Sequence, residues 1–453
     1  MIFDQACRTY SSVKITLFSM LYRLILQNYK SFRDRTEFSM IPSSDSIHVA
    51  FKNSSIPVLR DAAIYGPNAS GKSNLIKALD FIQNFVLDNS VLENHRNDTF
   101  KFDKDYLSAP SAFVIEIKVA GILYQYGFVV SFMTSTVVKE WLSYYDSISQ
   151  EWVKVFVTDD KLELNGDVDP SNRERVLIYN EDNRKNQNLL LLTVLSDKAL
   201  KEDVLKNSVQ HVFQWVKELV ILFPNSVYNL MGAVAHDIDA VNQLYKRYFR
   251  AFGIDIDKIE LSNIAVESLH LPTGLISDMK QTLKKDDRGK LVMLHTPKDD
   301  YLVSLNDLGE IQASKVGFLH NDDHTGILLS KSEESDGTNR LMDLIPLLGM
   351  AIKKNRVVVI DEINRSLHSA LTHQFIKVFF QQTSDNSESQ LIFSTHDILL
   401  LDSGMFGKKE IWFLDKRNGV SSLYPLDKFK LPSDMKGIGQ NYMLGRFDAI
   451  PKI

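Results

Sequence analysis

Cysteine is almost absent from this sequence, and so are long apolar runs and a large excess of charge of one sign. Cys7 is the single cysteine among 453 residues, which excludes an internal disulfide framework and a structural zinc site built from several cysteines. No stretch approaches the roughly 20 apolar residues that span a bilayer, so we expect no membrane partner. A net charge of −5 argues against general polyanion binding, although a local basic face can still hold DNA. These absences predict a cytoplasmic protein.

The pattern of the chain predicts an α/β protein in four parts. Residues 1–19 form an N-terminal extension whose charged residues interrupt any secretory signal. Residues 20–185 contain alternating strands, one helix and a meander of strands. Residues 186–315 carry helical periodicity, which predicts an inserted and mainly helical arm. Residues 316–453 return to short apolar strands separated by helices.

A glycine-rich loop follows the short strand Asp61–Tyr65 and precedes a predicted helix, Asn74–Asn84. Its spacing is glycine, four residues, glycine, lysine and serine. Small residues let backbone N–H groups point at phosphates, while Lys72 can reach the β- and γ-phosphates and Ser73 can bind Mg²⁺. The preceding strand and the following helix are the context that this mechanism requires. We therefore predict ATP and Mg²⁺ as ligands, a catalytic role for Lys72, and nucleotide contacts from Gly66, Asn68, Ala69, Ser70, Gly71, Lys72, Ser73 and Asn74.

Polar residues follow two further apolar strands, at the end where ligands bind in parallel sheets. After Val357–Ile360, Asp361 can hold Mg²⁺ directly or through water, and Glu362 can polarise the attacking water. After Gln390–Ser394, His396 can contact the γ-phosphate. Solvated acids and structural histidines are common at strand ends in isolation. The order of glycine loop, acidic strand and histidine strand favours the catalytic interpretation.

The segment Glu334–Arg340 runs into a predicted helix, Thr338–Lys353. Ser335 or Asp336 can cap this helix. The N-terminus of a helix also attracts anions, so capping and phosphate binding by Ser335 and Gly337 are compatible.

Taken in this order, the motifs resemble those of ABC-type ATPases of the SMC, RecF and OLD kind. The glycine loop resembles Walker A, and Ile360–Glu362 resembles the end of Walker B. The segment Glu334–Arg340 resembles the ABC signature, with Asp336 where glycine is usual. Ser366–His368 lies where the D-loop belongs, and His396 matches the H-loop histidine.

A closer resemblance is to the stand-alone ATPases of bacterial abortive-infection systems. Examples are the AriA subunit of PARIS and the ATPase paired with RloB-type partners. The resemblance rests on Ser335–Thr338, Asp361–His368 and Asn441–Arg446. It covers both ends of the chain and does not include the arm.

The resemblance implies an ABC-type P-loop ATPase head, with a mixed sheet, helices and an antiparallel β subdomain, into which the arm is inserted. Two heads sandwich ATP in these families. Ser335 and Gly337 would therefore complete the site of a neighbour in a homo-oligomer of at least two chains, and hydrolysis would be slow and dependent on assembly. For the Q-loop glutamine of these families, only Gln83 and Gln125 are candidates.

The residues after His396 complete the functional expectation. They predict two closing strands, Glu410–Leu414 and Ser422–Tyr424, and no nuclease, while His320 and His324 flank a polar turn. We expect a scaffold and sensor of an anti-phage system that controls a separate effector, such as a Toprim nuclease or an RloB-like protein, with DNA or a phage protein as the trigger. One alternative is a DNA-repair ATPase of the RecF or SMC type. Another is an ABC transporter subunit, but the long arm and the non-standard signature argue against a transporter.

Overall fold

The computed structural model describes residues 19–52, 54, 56–185, 188–226, 238–269, 274, 276, 279, 283, 292–296, 299–306, 309–321, 326–383, 389–430 and 437–447. The predicted N-terminal extension lies outside these residues except for Ser19. Two compact units divide the chain. The larger unit holds the described residues of Thr16–Pro224, Met350–Asn364 and Phe380–Ile453. The smaller unit holds those of Asn225–Gly349 and Arg365–Phe379.

The strands and helices are numbered along the chain. The strands are β1 (Ser19–Gln27), β2 (Thr36–Ser39), β3 (Val49–Ala50), β4 (Val58–Leu59), β5 (Asp61–Tyr65), β6 (Ser111–Val119), β7 (Ile122–Ser131), β8 (Thr136–Asp146), β9 (Glu151–Thr158), β10 (Leu162–Leu164), β11 (Val220–Leu222), β12 (Lys258–Ile264), β13 (Val292–His295), β14 (Asp300–Leu305), β15 (Ile311–Asn321), β16 (Gly326–Ser330), β17 (Val357–Ile360), β18 (Gln390–Ser394), β19 (Ile411–Arg417) and β20 (Val420–Pro425). The helices are α1 (Lys72–Leu87), α2 (Lys104–Ser108), α3 (Pro170–Lys185), α4 (Leu191–Ser196), α5 (Val204–Glu218), α6 (Ile238–Phe252), α7 (Asp336–Lys354), α8 (Ser369–Gln382) and α9 (Ile438–Met443). Among the described residues, no helix has both the length and the apolar character needed to cross a membrane.

Seven strands of the larger unit form an antiparallel sheet in the order β10-β9-β8-β7-β6-β1-β2. Alternate residues of a strand face the same side, and Phe113, Ile115 and Ile117 of β6 are all buried. On this side α1 packs through Phe81, whose ring centroid lies 4.9 Å from that of Phe113. The predicted meander and antiparallel subdomain are confirmed.

A second sheet of the larger unit has the order β11-β17-β18-β5-β19-β20. Its first five strands run parallel, and β20 is antiparallel to β19. Every residue of β17, β18 and β5 is buried, as apolar runs predict for strands covered on both faces. Because these three neighbours are parallel, their carboxyl ends meet at one edge of the sheet. The predicted α/β head is therefore confirmed, and β19 and β20 are its predicted closing strands.

The end of one predicted helix is a strand instead. The periodicity of Val209–Leu222 predicts a helix, but α5 ends at Glu218 and the last three residues form β11, parallel to β17. The branched side chains of β11 suit a sheet. Its hydrogen bonds come from the edge of β17, which is distant in sequence, so the local pattern does not predict them. The preceding helix α4 is tied to α1, because Thr193 Oγ1 donates to the carbonyl oxygen of Val86 at 2.8 Å. The first part of the predicted arm thus belongs to the larger unit.

The prediction of a mainly helical arm is wrong for much of the smaller unit. Helical periodicity over residues 237–252 predicts one helix, and the structure has it as α6. A five-stranded sheet follows in the order β12-β15-β14-β13, with β16 also paired to β15. The strand β15 also crosses the predicted boundary at residue 315. These strands are paired with distant partners, for instance Ile259 with Phe318, so their sequence gives little local signal. The charged stretch Lys280–Lys290 predicts a turn or loop, and it lies outside the described residues apart from Leu283.

Candidate nucleotide site

The glycine loop lies between β5 and α1, at the edge where β17 and β18 also end. Close packing requires its two flanking glycines. A Cβ on Gly66 would lie 2.4 Å from the carbonyl oxygen of Leu414, and one on Gly71 would lie 2.5 Å from Ser421 Oγ. Gly71 also has a φ of 116°, which residues with side chains rarely adopt. The loop is therefore shaped by β19 and β20 as well as by its own sequence.

The side chain of Lys72 is folded back onto its own loop. Its Nζ donates to the carbonyl oxygens of Gly66 at 2.7 Å and Pro67 at 3.0 Å, and the residue is 5% exposed. Burial lowers the pKa of Lys72 to about 8, while the charges of Asp361 and Glu362 act in the opposite direction. The loop thus holds a buried cation next to two carboxylates, an arrangement that fits the phosphates and metal of a nucleotide.

Hydroxyl groups from distant segments support the loop. Ser421 Oγ donates to the carbonyl oxygen of Ser70 at 2.6 Å and lies 2.8 Å from Ser31 Oγ. Asn74 Nδ2 donates to the same Ser31 Oγ at 2.8 Å. Sequence reasoning missed Ser31 and Ser421, because no motif marks them and both lie far from the loop along the chain.

One polar atom of the loop is buried without a partner. Ser70 Oγ has no hydrogen-bond partner among the described residues, although Ser70 is 1% exposed. A buried hydroxyl without a partner is expected where a bound ligand supplies the missing hydrogen bond. Asn68 and Ala69 are exposed, and Ser73 is half-buried in the first turn of α1. Their contacts with nucleotide and Mg²⁺ stay predictions.

The acidic pair after β17 is oriented by a serine of the neighbouring strand. Ser394 Oγ donates to Asp361 Oδ1 at 2.6 Å and accepts from the backbone N–H of Glu362 at 2.8 Å. Asp361 is 2% exposed, and its own N–H donates to the carbonyl oxygen of Leu222 in β11. Glu362 is half-buried, with a positive φ of 51°. Sequence reasoning missed Ser394, which positions both acidic residues.

His396 follows β18 and is half-buried. Burial lowers its pKa, the charge of Lys72 lowers it further, and Asp361 opposes this. The imidazole is therefore neutral near pH 7. Asn364 Oδ1 accepts from the backbone N–H of His396 at 3.4 Å and from Thr395 Oγ1 at 2.9 Å, which holds this segment in place. The structure thus brings Lys72, Asp361 and His396 within electrostatic reach of one another, as the order of the motifs predicts.

The signature-like segment belongs to the smaller unit. Ser335 Oγ accepts from the N–H of Thr338 at 3.1 Å, so Ser335 caps α7 while remaining exposed. A Cβ on Gly337 would lie 3.0 Å from the carbonyl oxygen of Ser366. These contacts explain the residue types locally. The roles of Ser335 and Gly337 in a neighbour's nucleotide site stay predictions.

The two Q-loop candidates have structural partners. Gln83 Nε2 donates to the carbonyl oxygens of Val216 and Leu219 at the end of α5. Gln125 donates to Glu116 Oε1 at 3.1 Å and accepts from Trp141 Nε1 at 3.2 Å. These hydrogen bonds within the protein account for both glutamines without a ligand. His320, which flanks the predicted polar turn, is bonded to Glu334. The other flanking histidine, His324, lies outside the described residues.

Comparison with known proteins identifies the family. Residues 62–402 match the family described as "AAA domain, putative AbiEii toxin, Type IV TA system". The chain belongs to this family. With its glycine loop and acidic strand end, it is an ATPase of the AAA type. No curated protein matches the chain.

Two solved structures are similar to it. One is the SMC head bound to the C-winged helix domain of ScpA, with 14% identity over 89% of this chain and 97% of that chain, and a TM-score of 0.41. The other is the SMC head domain from Thermotoga maritima, with 14% identity over 91% of this chain and 99% of that chain, and a TM-score of 0.39.

Proposed function

We propose that this chain binds and hydrolyses ATP as the scaffold and sensor subunit of a bacterial anti-phage system, acting in the cytoplasm on a separately encoded effector. One observation carries the nucleotide part: Lys72, Asp361, Glu362 and His396 follow three parallel strands that end at one edge of a sheet. The family description names a toxin and a toxin–antitoxin system, which supports a defence role over DNA repair.

Each residue has its own task in the proposed reaction. Lys72 supplies positive charge to the β- and γ-phosphates. Ser73 and Asp361 would hold Mg²⁺, which when bound neutralises charge that develops on the phosphates. Glu362 orients and polarises the attacking water. His396, with a neutral imidazole, is suited to a hydrogen bond with the γ-phosphate, because it adds no competing charge beside Lys72.

Assembly is the second part of the proposal. Ser335 is exposed at the start of α7, a helix of 19 residues, and the dipole of such a helix favours an anion at its N-terminus. We assign this surface to the ATP of a neighbouring copy, so that the smallest working form is a homodimer with composite sites. Bound ATP then holds the two copies together, and its slow hydrolysis lets them separate.

The first test is ATP binding and turnover by the purified chain. Lys72→Ala is expected to abolish tight binding, because it removes the cation of the loop. Glu362→Gln is expected to bind ATP normally and to lower kcat about 100-fold or more, the usual effect of losing a general base. Lys77→Ala is the matched control, since Lys77 is an exposed lysine on the same helix α1. Equal losses in the control and in Lys72→Ala would refute the assignment.

The composite site is tested by mixing two inactive variants. Lys72→Ala keeps its signature and Ser335→Arg keeps its glycine loop, so a mixed dimer contains one intact composite site. Random mixing should restore about a quarter of the wild-type sites. No recovery, in mixtures shown by mass to contain mixed dimers, would refute the composite site while leaving the ATPase assignment in place.

The separate effector is tested with DNA. The chain alone is expected to hydrolyse ATP without cutting DNA. Metal-dependent cleavage that survives Glu362→Gln would contradict a separate effector. ATP-dependent duplex binding with a steep dependence on salt would favour the DNA-repair alternative.

A further inference from the structure

Three metal-ligating side chains meet in the larger unit, away from the glycine loop. They are His48, Asp61 and Glu410, and one ligand atom from each lies within 4.8 Å of the others. Asp61 is the first residue of β5, whereas the loop follows its last residue, Tyr65. A five-residue strand separates the two ends by about 13 Å. The cluster is therefore independent of the nucleotide site.

The two carboxylates of this cluster are completely buried. Asp61 and Glu410 are both 0% exposed, and neither oxygen of Asp61 accepts a hydrogen bond of good geometry among the described residues. A metal ion beside Asp61 would supply the partner that its carboxylate lacks, because a desolvated charge is costly unless it is paired.

Glu410 is held in place as metal ligands commonly are. Its carboxylate accepts from three backbone N–H groups, those of Ile47 at 2.6 Å, His48 at 2.8 Å and Gly407 at 2.6 Å. Gly407 permits this approach, because a Cβ there would lie 2.5 Å from the carbonyl oxygen of Asp45. Such outer contacts orient a ligating carboxylate before the ion arrives.

The two distances from His48 to the carboxylates suit a metal polyhedron. His48 Nδ1 lies 3.1 Å from Asp61 Oδ1 and 3.5 Å from Glu410 Oε2. Tetrahedral ligands about 2.1 Å from an ion lie roughly 3.4 Å from one another. The ring of His48 is fixed by stacking on Phe380, with centroids 3.7 Å apart. Because the side chain of His48 is 19% exposed, the cluster is open to ions from solvent on that side.

We propose that His48, Asp61 and Glu410 bind one divalent transition-metal ion, of the kind represented by Zn²⁺ or Mn²⁺. An imidazole nitrogen with two carboxylates favours such ions over Mg²⁺, which prefers oxygen ligands and retains its waters. The ion would join the segment before β3, the start of β5 and the turn before β19. It would therefore connect β5, the strand that precedes the glycine loop, to segments far away in the sequence.

The test uses the full-length chain without nucleotide, stripped with EDTA. Titration with Zn²⁺ and with Mn²⁺ is followed by calorimetry, and bound metal is counted by mass spectrometry. We expect one ion per chain, a higher Tm with Zn²⁺ than with the same concentration of Mg²⁺, and about 10- to 100-fold weaker binding in His48→Gln. His95→Gln is the matched control, because His95 is paired with the single carboxylate of Asp98 and should bind metal like the wild type.

The competing explanation is that protonated His48 is itself the cation between the carboxylates. In that case Zn²⁺ and Mn²⁺ bind no more tightly than Mg²⁺, or His48→Gln retains wild-type affinity, and either result overturns the proposal. A second measurement needs no variant and therefore tests the proposal even if His48→Gln fails to fold. X-ray absorption of the zinc-loaded wild type should show one nitrogen and two carboxylate ligands from the protein, and a site without a histidine ligand would refute the assignment.

Discussion

The buried carboxylate of Glu140 should make the stability of helix α4 on the antiparallel sheet depend on pH. Glu140 lies in β8 and is 1% exposed. It accepts from the N–H groups of Leu191 at 2.6 Å and Leu192 at 2.9 Å, the first residues of α4, and from Tyr126 Oη at 3.0 Å. The Glu140 side chain is thus the attachment of α4 to the antiparallel sheet.

Burial raises the pKa of Glu140 from its ordinary value of 4.5 to about 7, although the three donors act in the opposite direction. A raised pKa means that the folded state binds the proton more tightly than the open state. The stabilisation is therefore fully present below pH 4.5 and is lost as the pH rises through 7. At about 1.4 kcal/mol per pH unit, the total effect is about 3 kcal/mol.

Hydrogen–deuterium exchange measures this effect locally, which suits a chain of two units that need not unfold in one step. After correction for intrinsic exchange, protection of the peptide 190–196 should fall by roughly two orders of magnitude between pH 5 and pH 8. Glu140→Gln should remove this slope, because its side chain does not titrate. Glu163→Gln is the control, since Glu163 is exposed. Parallel slopes in wild type and Glu140→Gln, or protection that rises with pH, would refute the reasoning.

Three further substitutions test the packing around the glycine loop. Gly71→Ala should weaken ATP binding at least about tenfold in an equilibrium titration, because its Cβ would clash with Ser421 Oγ at a backbone angle that alanine disfavours; unchanged affinity would mean that the loop adjusts freely. Ser394→Ala should lower kcat about 10- to 100-fold with a smaller change in KM, since it removes the donor to Asp361, and Ser394→Thr should recover most of the rate; a loss confined to KM would contradict a positioning role. Gln83→Ala should lower stability by about 1–2 kcal/mol, seen as a lower Tm, and leave kcat within twofold, whereas a large loss of kcat at unchanged Tm would restore it as the Q-loop residue.

Features that depend on near neighbours in the chain could be predicted from the sequence. The glycine loop, the buried run of β17 and the acids after it are each specified within a few residues. The closing strands β19 and β20 were predicted for the same reason, because a turn at Asn418 and Gly419 separates two short apolar runs. The proposed ATP and Mg²⁺ residues follow from this local order and from the family resemblance.

Features that depend on distant partners were decided only by the tertiary structure. Residues 220–222 became β11 because β17 offers a free edge, and the sheet of the smaller unit pairs segments that are far apart along the chain. The same holds for the residues that support the site. Ser421 meets the glycine loop across 351 residues of sequence, and Ser394 reaches Asp361 across 33.

The buried cluster of His48, Asp61 and Glu410 shows the division most clearly. None of the three belongs to a motif. Glu410 accepts a hydrogen bond from the N–H of His48, although the two residues are 362 positions apart in the sequence. A sequence specifies which side chains can carry charge or bind a metal. Whether such side chains meet, and whether water is excluded from them, depends on long-range packing, which alone determines how strongly their charges interact.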